Sequence, residues 1–201
     1  MRIDMILSKL KQTGQPVLRT ADVAAILDIK IDHASHALSR LEESGHLVRI
    51  KRGLWAMAGK NDAFQLAEHI TAPFPSYISL QSALYFHGMI SQMPASVYCV
   101  SPARTRIYRT PVGDFSIHHI PGEFFSGYET SENGVKIAIP EKALLDFLYL
   151  SPAKSRLFSA LPELELPKRF SVRKAEALIK HVTSQRRRSM LHARFEKILN
   201  P

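Results

Sequence analysis

Residues 45–57 read GHLVRIKRGLWAM, and no other stretch restricts the fold as much. Val48 and Ile50 alternate with Arg49 and Lys51, the period of two that marks a half-buried strand. Arg52-Gly53 supplies a turn and Leu54-Trp55-Ala56 returns, so the stretch predicts a two-stranded hairpin with cations near its tip. Immediately upstream the period changes. Ala34, Ala37, Leu38 and Leu41 recur at i, i+3, i+4 and i+7, the inner face of a helix that Asp32 is expected to cap and Gly45 to end. A helix that runs straight into a basic hairpin fits few small-domain folds.

The residues before it narrow the choice further. Ile3, Ile6, Leu7 and Leu10 predict a first amphipathic helix, broken by Gly14 and Pro16. Val17-Leu18-Arg19 reads as a short extended piece, and Thr20 as the cap of a second, two-turn helix, ADVAAILD. Helix, helix, helix, hairpin is the order of a winged helix-turn-helix, expected over residues 1–60. Opposite its apolar stripe the third helix carries His36, Ser39 and Glu43, flanked by His33 and Arg40. Short polar side chains plus an arginine are the chemistry that reads base edges and phosphates. The expected DNA-contacting set is therefore Lys30, His33, Ser35, His36, Ser39 and Arg40 on or beside the third helix, with Arg49, Lys51 and Arg52 on the wing. His33 and His36 stand at i, i+3 but no third ligand lies near them in sequence, so no metal is expected.

Charge places a polyanion among the partners and divides the chain into tasks. The net charge is +9. Residues 1–60 hold 10 Lys+Arg against 6 Asp+Glu, residues 61–149 hold 5 against 8, and residues 150–201 hold 12 against 4. Two basic ends thus flank a slightly acidic middle. The single cysteine, Cys99 in SVYCVS, excludes an internal disulfide and a multi-cysteine zinc site, and its neighbours predict a buried strand residue. No run is long and apolar enough for a bilayer. MRIDMILSKLKQ lacks the apolar stretch of a secretory leader, so a cytoplasmic location is expected.

Residues 61–201 predict a second, α+β domain. AFQLAEHI reads as a connector helix, and Ser79 as the cap of a helix that runs to about His87 and stops at Gly88. SVYCVSP, DFSIHHIP and GVKIAI read as strands. Pro140 suits the first turn of PEKALLDFLYL, whose Ala143, Leu144, Phe147 and Leu148 give a broad buried face. VRKAEALIKHV and RRRSMLHARFEKIL predict two closing helices. Lys142 and Asp146, at i, i+4, read as a solvated pair. His118 and His119 alternate along a strand and so cannot chelate together. No acidic cluster, glycine-rich phosphate loop or nucleophile–base set appears, so neither enzymatic activity nor a cofactor is expected.

Three stretches together, LRTADVAAIL…ALSRLEESGHLVRIKRGLWA, SYISLQSALYFHG and IAIPEKALLDFLYL, resemble the AbiEi antitoxins of type IV (abortive infection) toxin–antitoxin systems, over about Leu18 to Leu150. The resemblance implies a winged helix that binds inverted repeats at the operon's own promoter and represses it, with a dimer on DNA among the expected states. It implies also a C-terminal antitoxin domain that neutralises a cognate nucleotidyltransferase-like toxin, with or without stable direct contact between the two. The alternative from the residues is a one-component regulator whose C-terminal domain senses a ligand or dimerises. The basic tail, residues 151–201, lies outside the resemblance. Its Arg186, Arg187, Arg188 and Arg194 are candidates for contact with a partner protein or for additional contact with DNA.

Overall fold

The computed structural model describes residues 2–59, 62–151 and 163–200. Lys60 and Asn61, at the boundary expected between the two domains, and residues 152–162 of the basic tail lie outside the described residues. The N-terminal part runs α1 (Ile3–Gln12), β1 (Val17–Arg19), α2 (Thr20–Leu27), α3 (Ile31–Glu43), β2 (Leu47–Lys51) and β3 (Leu54–Met57). The short extended piece before α2 is more than a connection. It pairs antiparallel with β3, giving a three-stranded wing sheet in the order β1-β3-β2. Ile6, Leu10, Leu18, Val23, Ala34, Leu38, Leu41 and Trp55 close one core. A fully buried Leu or Ile side chain contributes about 1.5–3 kcal/mol relative to exposure, so the stripe on α3 is what fixes its roll on the domain.

Two caps expected in this N-terminal part are absent. Arg19, not Thr20, occupies the N-cap position of α2, and the Thr20 hydroxyl accepts a hydrogen bond from the buried Trp55 indole N–H at 3.0 Å. Lys30 precedes α3 without a side-chain cap, and Asp32 stands in the first turn, where its charge suits the positive end of the helix dipole. The far end of α3 follows expectation. Gly45 takes φ +75°, its N–H bonds the Glu42 carbonyl and that of His46 bonds the Leu41 carbonyl, each at 2.9 Å. This pair of bonds closes the helix and turns the chain into β2.

The remainder is built on a six-stranded mixed sheet, β4 (Tyr77–Ile78), β5 (Val97–Ser101), β6 (Arg106–Thr110), β7 (Gly113–His119), β8 (Tyr128–Thr130) and β9 (Lys136–Ala138), in the order β6-β7-β5-β4-β9-β8. Pairs β5/β7 and β4/β9 are parallel and the others antiparallel. Between and after the strands come α4 (Ala63–Thr71), α5 (Leu80–Phe86), α6 (Pro140–Leu150), α7 (Val172–Ile179) and α8 (Gln185–Leu199). The α+β expectation therefore holds. Helices α5 to α8 share the larger core with Tyr77, Val100 and Ala138 of the sheet. A second apolar cluster joins Val17, Ile50, Leu54 and Ala56 of the wing sheet to Leu66 and Ile70 of α4 and to Ile78, Cys99, Phe115 and Ile117 of the large sheet. The back of the wing is thus sealed onto α4, which leaves α3 at the outer end.

The Lys142–Asp146 pair is not solvated, contrary to expectation. Both side chains are fully buried, and Lys142 Nζ donates to Asp146 Oδ1 at 2.5 Å. The other carboxylate oxygen accepts from Ser79 Oγ at 2.7 Å and from Tyr77 OH at 3.0 Å. Ser79 therefore occupies the N-cap position of α5 without capping it. The reason lies in α6, where every residue from Pro140 to Tyr149 is buried, so that the pair has no solvent-facing side on which to sit. Burial pushes the Lys142 ammonium down to about 8 against the opposing pull of Asp146, and the same burial raises the Asp146 carboxyl. The Lys142 Nζ lies 3.1 Å from the centroid of the Phe124 ring.

Candidate nucleic-acid interface

Helix α3 is held by its inner stripe and offers its outer residues to solvent. His33, Ser35, His36, Arg40 and Glu43 are exposed, Ser39 is half-buried, and Lys30 just before the helix is exposed. His33, His36 and Arg40 also edge a groove of about 280 Å³ shared with Ile3 and Ile6 of α1. A helix with one apolar stripe on its own domain and an exposed row of His, Ser and Arg has the shape and the donors to enter a major groove about 12 Å wide.

The wing divides its cations between two tasks. Arg52 sits exposed at the tip, where Gly53 turns the chain at φ +76°. Arg49 is exposed and lies over the Trp55 ring at 5.3 Å, which fixes its stem against the wing while its charge stays in water. Lys51 does not fit the expectation of a tip contact. It is half-buried, its Nζ donates to the Ile70 carbonyl at 2.6 Å, and it lies 5.5 Å from the centroid of the Tyr108 ring. The cause is the seal between β2 and α4, which draws this side chain inward.

Strand β6 adds what the sequence reading missed. It packs against β2, and Arg106 also lies over the Tyr108 ring, 5.0 Å from its centroid. Burial, then the charges of Arg106 and Arg19, hold the Lys51 ammonium below its ordinary value. Burial and Arg19 likewise lower His69, against Glu68. Like charges are thus crowded where the wing meets the large sheet. Arg104, Arg106 and Arg109 are all exposed. None of Arg19, Arg49, Arg52, Arg104, Arg106 and Arg109 has a carboxylate partner among the described residues, whose ion pairs are Lys136–Glu68, Lys142–Asp146 and the longer His192–Glu196. Such a surface is costly to assemble in isolation and favourable beside phosphates. The signal was present as three arginines in the six residues RTRIYR, hidden by averaging over an acidic middle segment.

The tail arginines are mostly engaged within the molecule. Arg187 stacks on the Tyr149 ring at 4.8 Å. Arg188 reaches Gln185 and the Val182 carbonyl, and half-buried Arg194 donates to the Leu148 carbonyl at 3.4 Å. Arg186 is exposed. Among the described residues no group of three or more His, Cys, Asp or Glu side chains could hold a metal ion, and no helix is long and apolar enough to cross a membrane. His118 is buried and His119 exposed, on opposite faces of β7.

Comparison with known proteins adds one finding. Residues 5–58, from within α1 to the end of β3, match the family described as transcriptional regulator, AbiEi antitoxin. The match supports an antitoxin or transcriptional-regulator role in general terms. No curated protein matches the chain.

Proposed function

We propose that this chain, similar over its first quarter to the AbiEi antitoxin regulators, binds double-stranded DNA at its own promoter as a repressor and protects the cell from a nucleotidyltransferase-like toxin encoded beside it. The observation that carries the DNA half is the exposed row His33, His36 and Arg40 on α3, continued by cations that have no carboxylate partner among the described residues. In this reading α3 specifies the sequence from the major groove. Lys30, Ser35 and Ser39 flank it, Arg49 and Arg52 hold the backbone, and the β6 arginines extend the phosphate track. Lys51 orders the wing against α4 and Tyr108 and raises the local potential without touching DNA. The antitoxin half belongs to residues 61–201, including the tail, and the repressor half to residues 1–60 with β6.

A duplex carrying the chain's own promoter tests the first half and co-expression tests the second. The full chain is expected to retard that duplex and to silence a reporter placed behind it. The triple change Arg104→Gln, Arg106→Gln, Arg109→Gln is expected to flatten the log–log salt dependence by about 1–3, since each neutralised phosphate contributes roughly 0.9. Cells carrying the adjacent gene are expected to grow only when this chain is present. Growth that is indifferent to it contradicts the antitoxin half.

A second reading, a one-component regulator whose C-terminal part senses a small molecule, draws on a cleft of about 270 Å³ where Pro16, Phe64, Glu68, His69, Tyr77 and Lys136 meet. A ligand there would touch both the winged helix and the large sheet.

A further inference from the structure

The groove of about 280 Å³ beside α3 has a floor that duplex DNA leaves unused. Three elements build it. Ile3 and Ile6 come from α1, Ile29 from the turn before α3, and His33, His36, Ala37 and Arg40 from α3 itself. Asp28 takes φ +53° to close α2, and the Ile29 N–H then bonds the Ala24 carbonyl at 3.0 Å, which sets Ile29 at the groove. Ile6 is buried, and Ile3, Ile29 and Ala37 are half-buried, so hydrocarbon forms the floor. His33, His36 and Arg40 are exposed along the rim. Among the described residues none of these three side chains has a hydrogen bond or an ion pair, and the lining holds no carboxylate.

We propose that this groove binds a small amphipathic monocarboxylate, an aryl or alkyl acid, with its hydrocarbon on Ile3, Ile29 and Ala37 and its carboxylate on Arg40 and the two imidazoles. The lining itself gives the sign of the ligand. A permanent cation and two rings that can donate N–H, with no acid among them, suit an anion. A guanidinium also takes a carboxylate through two parallel bonds. The floor excludes a bare inorganic ion as the best occupant, since such an ion would satisfy Arg40 and leave the isoleucines wet. The cleft between Phe64 and Lys136 selects no charge in this way, because Glu68 and Lys136 already pair there at 2.6 Å. Arg40, His33 and His36 are the side chains that the DNA reading sends into the major groove, and the inference rests on that reading for its consequence. An occupied groove and a bound duplex exclude each other, so the acid acts as an inducer.

Phenylacetate is the probe, with phenylacetamide as the control for charge and acetate as the control for hydrocarbon. Histidine ring signals of the full-length chain report the site by nuclear magnetic resonance. Phenylacetate is expected to shift those of His33 and His36 saturably, in the millimolar range that so small a ligand reaches, and to leave His69 of the other cleft in place. The amide and acetate are expected to shift neither ring at the same concentration. Arg40→Gln is expected to weaken phenylacetate binding about tenfold, with the other histidine signals at their wild-type positions. At roughly ten times its dissociation constant, phenylacetate is expected to lower affinity for the promoter duplex about tenfold relative to an equal concentration of acetate. No shift, an equal shift with the amide, unaltered binding to Arg40→Gln, or a shift of His69 instead overturns the proposal. Saturable shifts at His33 and His36 with duplex affinity intact uphold the site and overturn the placement of α3 in the major groove.

Discussion

Arg40→Ala is expected to lose about 1–3 kcal/mol on the promoter duplex, a ~5- to 150-fold drop in affinity, and much less on a random duplex. The reasoning starts from the roll of α3. Ala34, Leu38 and Leu41 are wholly buried, so the helix cannot rotate without exposing its stripe, and Arg40 is held on the outer side. A guanidinium presented from that side can pair two acceptors of one guanine, a geometry that no other side chain of the row supplies. Arg52→Ala, at the wing tip, is expected to weaken both duplexes alike, since a phosphate carries no sequence. Titration of each variant against the two duplexes at one ionic strength separates the cases. Equal loss on both for Arg40→Ala contradicts a base-reading role.

The largest effect on stability is expected at Asp146. Asp146→Ala strands the Lys142 ammonium at zero exposure, with only the Phe124 ring at 3.1 Å and the Tyr77 ring at 6.0 Å beside it among the interactions that the structure describes. Removing one partner of a buried pair costs about 3–5 kcal/mol. In a chain of this size that is a fall in Tm on the order of 10 °C. Lys142→Met is expected to cost less. The carboxyl it leaves keeps the hydroxyls of Ser79 and Tyr77, and burial already raises its pKa toward the neutral form. The double variant Lys142→Met, Asp146→Asn preserves an acceptor for both hydroxyls and removes the charge altogether, so it is expected to melt above Asp146→Ala. If Asp146→Ala melts with the wild type, the pair is not what ties β4, α5 and α6 together.

The amphipathic periods were legible because they are local. Every helix read from residues 1–60 is present, as are the wing hairpin, the Gly45 stop and the buried Cys99. What escaped the reading was decided by tertiary neighbours. Thr20 and Ser79 look like caps in sequence, but Trp55 and Asp146 claim their hydroxyls. Lys142 and Asp146 look like a surface pair until α6 is buried on all sides. Lys51 alternates correctly for an outward wing residue, and only the docking of α4 turns it inward. Strand β6 escaped because its alternation is carried by Ile107 and arginines on an edge, without the apolar run that marks an inner strand. The site was legible in the same measure. The α3 row could be named from its period, whereas the β6 arginines joined it only when two sequence-distant strands met.

The central claim is that α3 lies in the major groove. Dimethyl sulfate methylates guanine N7, which faces that groove, so its protection on the promoter duplex reports the claim directly. With the full-length chain bound, guanines of the operator are expected to be shielded, and Arg40→Ala is expected to restore their reactivity while the duplex stays occupied at higher protein concentration. A saturated complex in which every guanine N7 reacts as in free DNA would contradict the account.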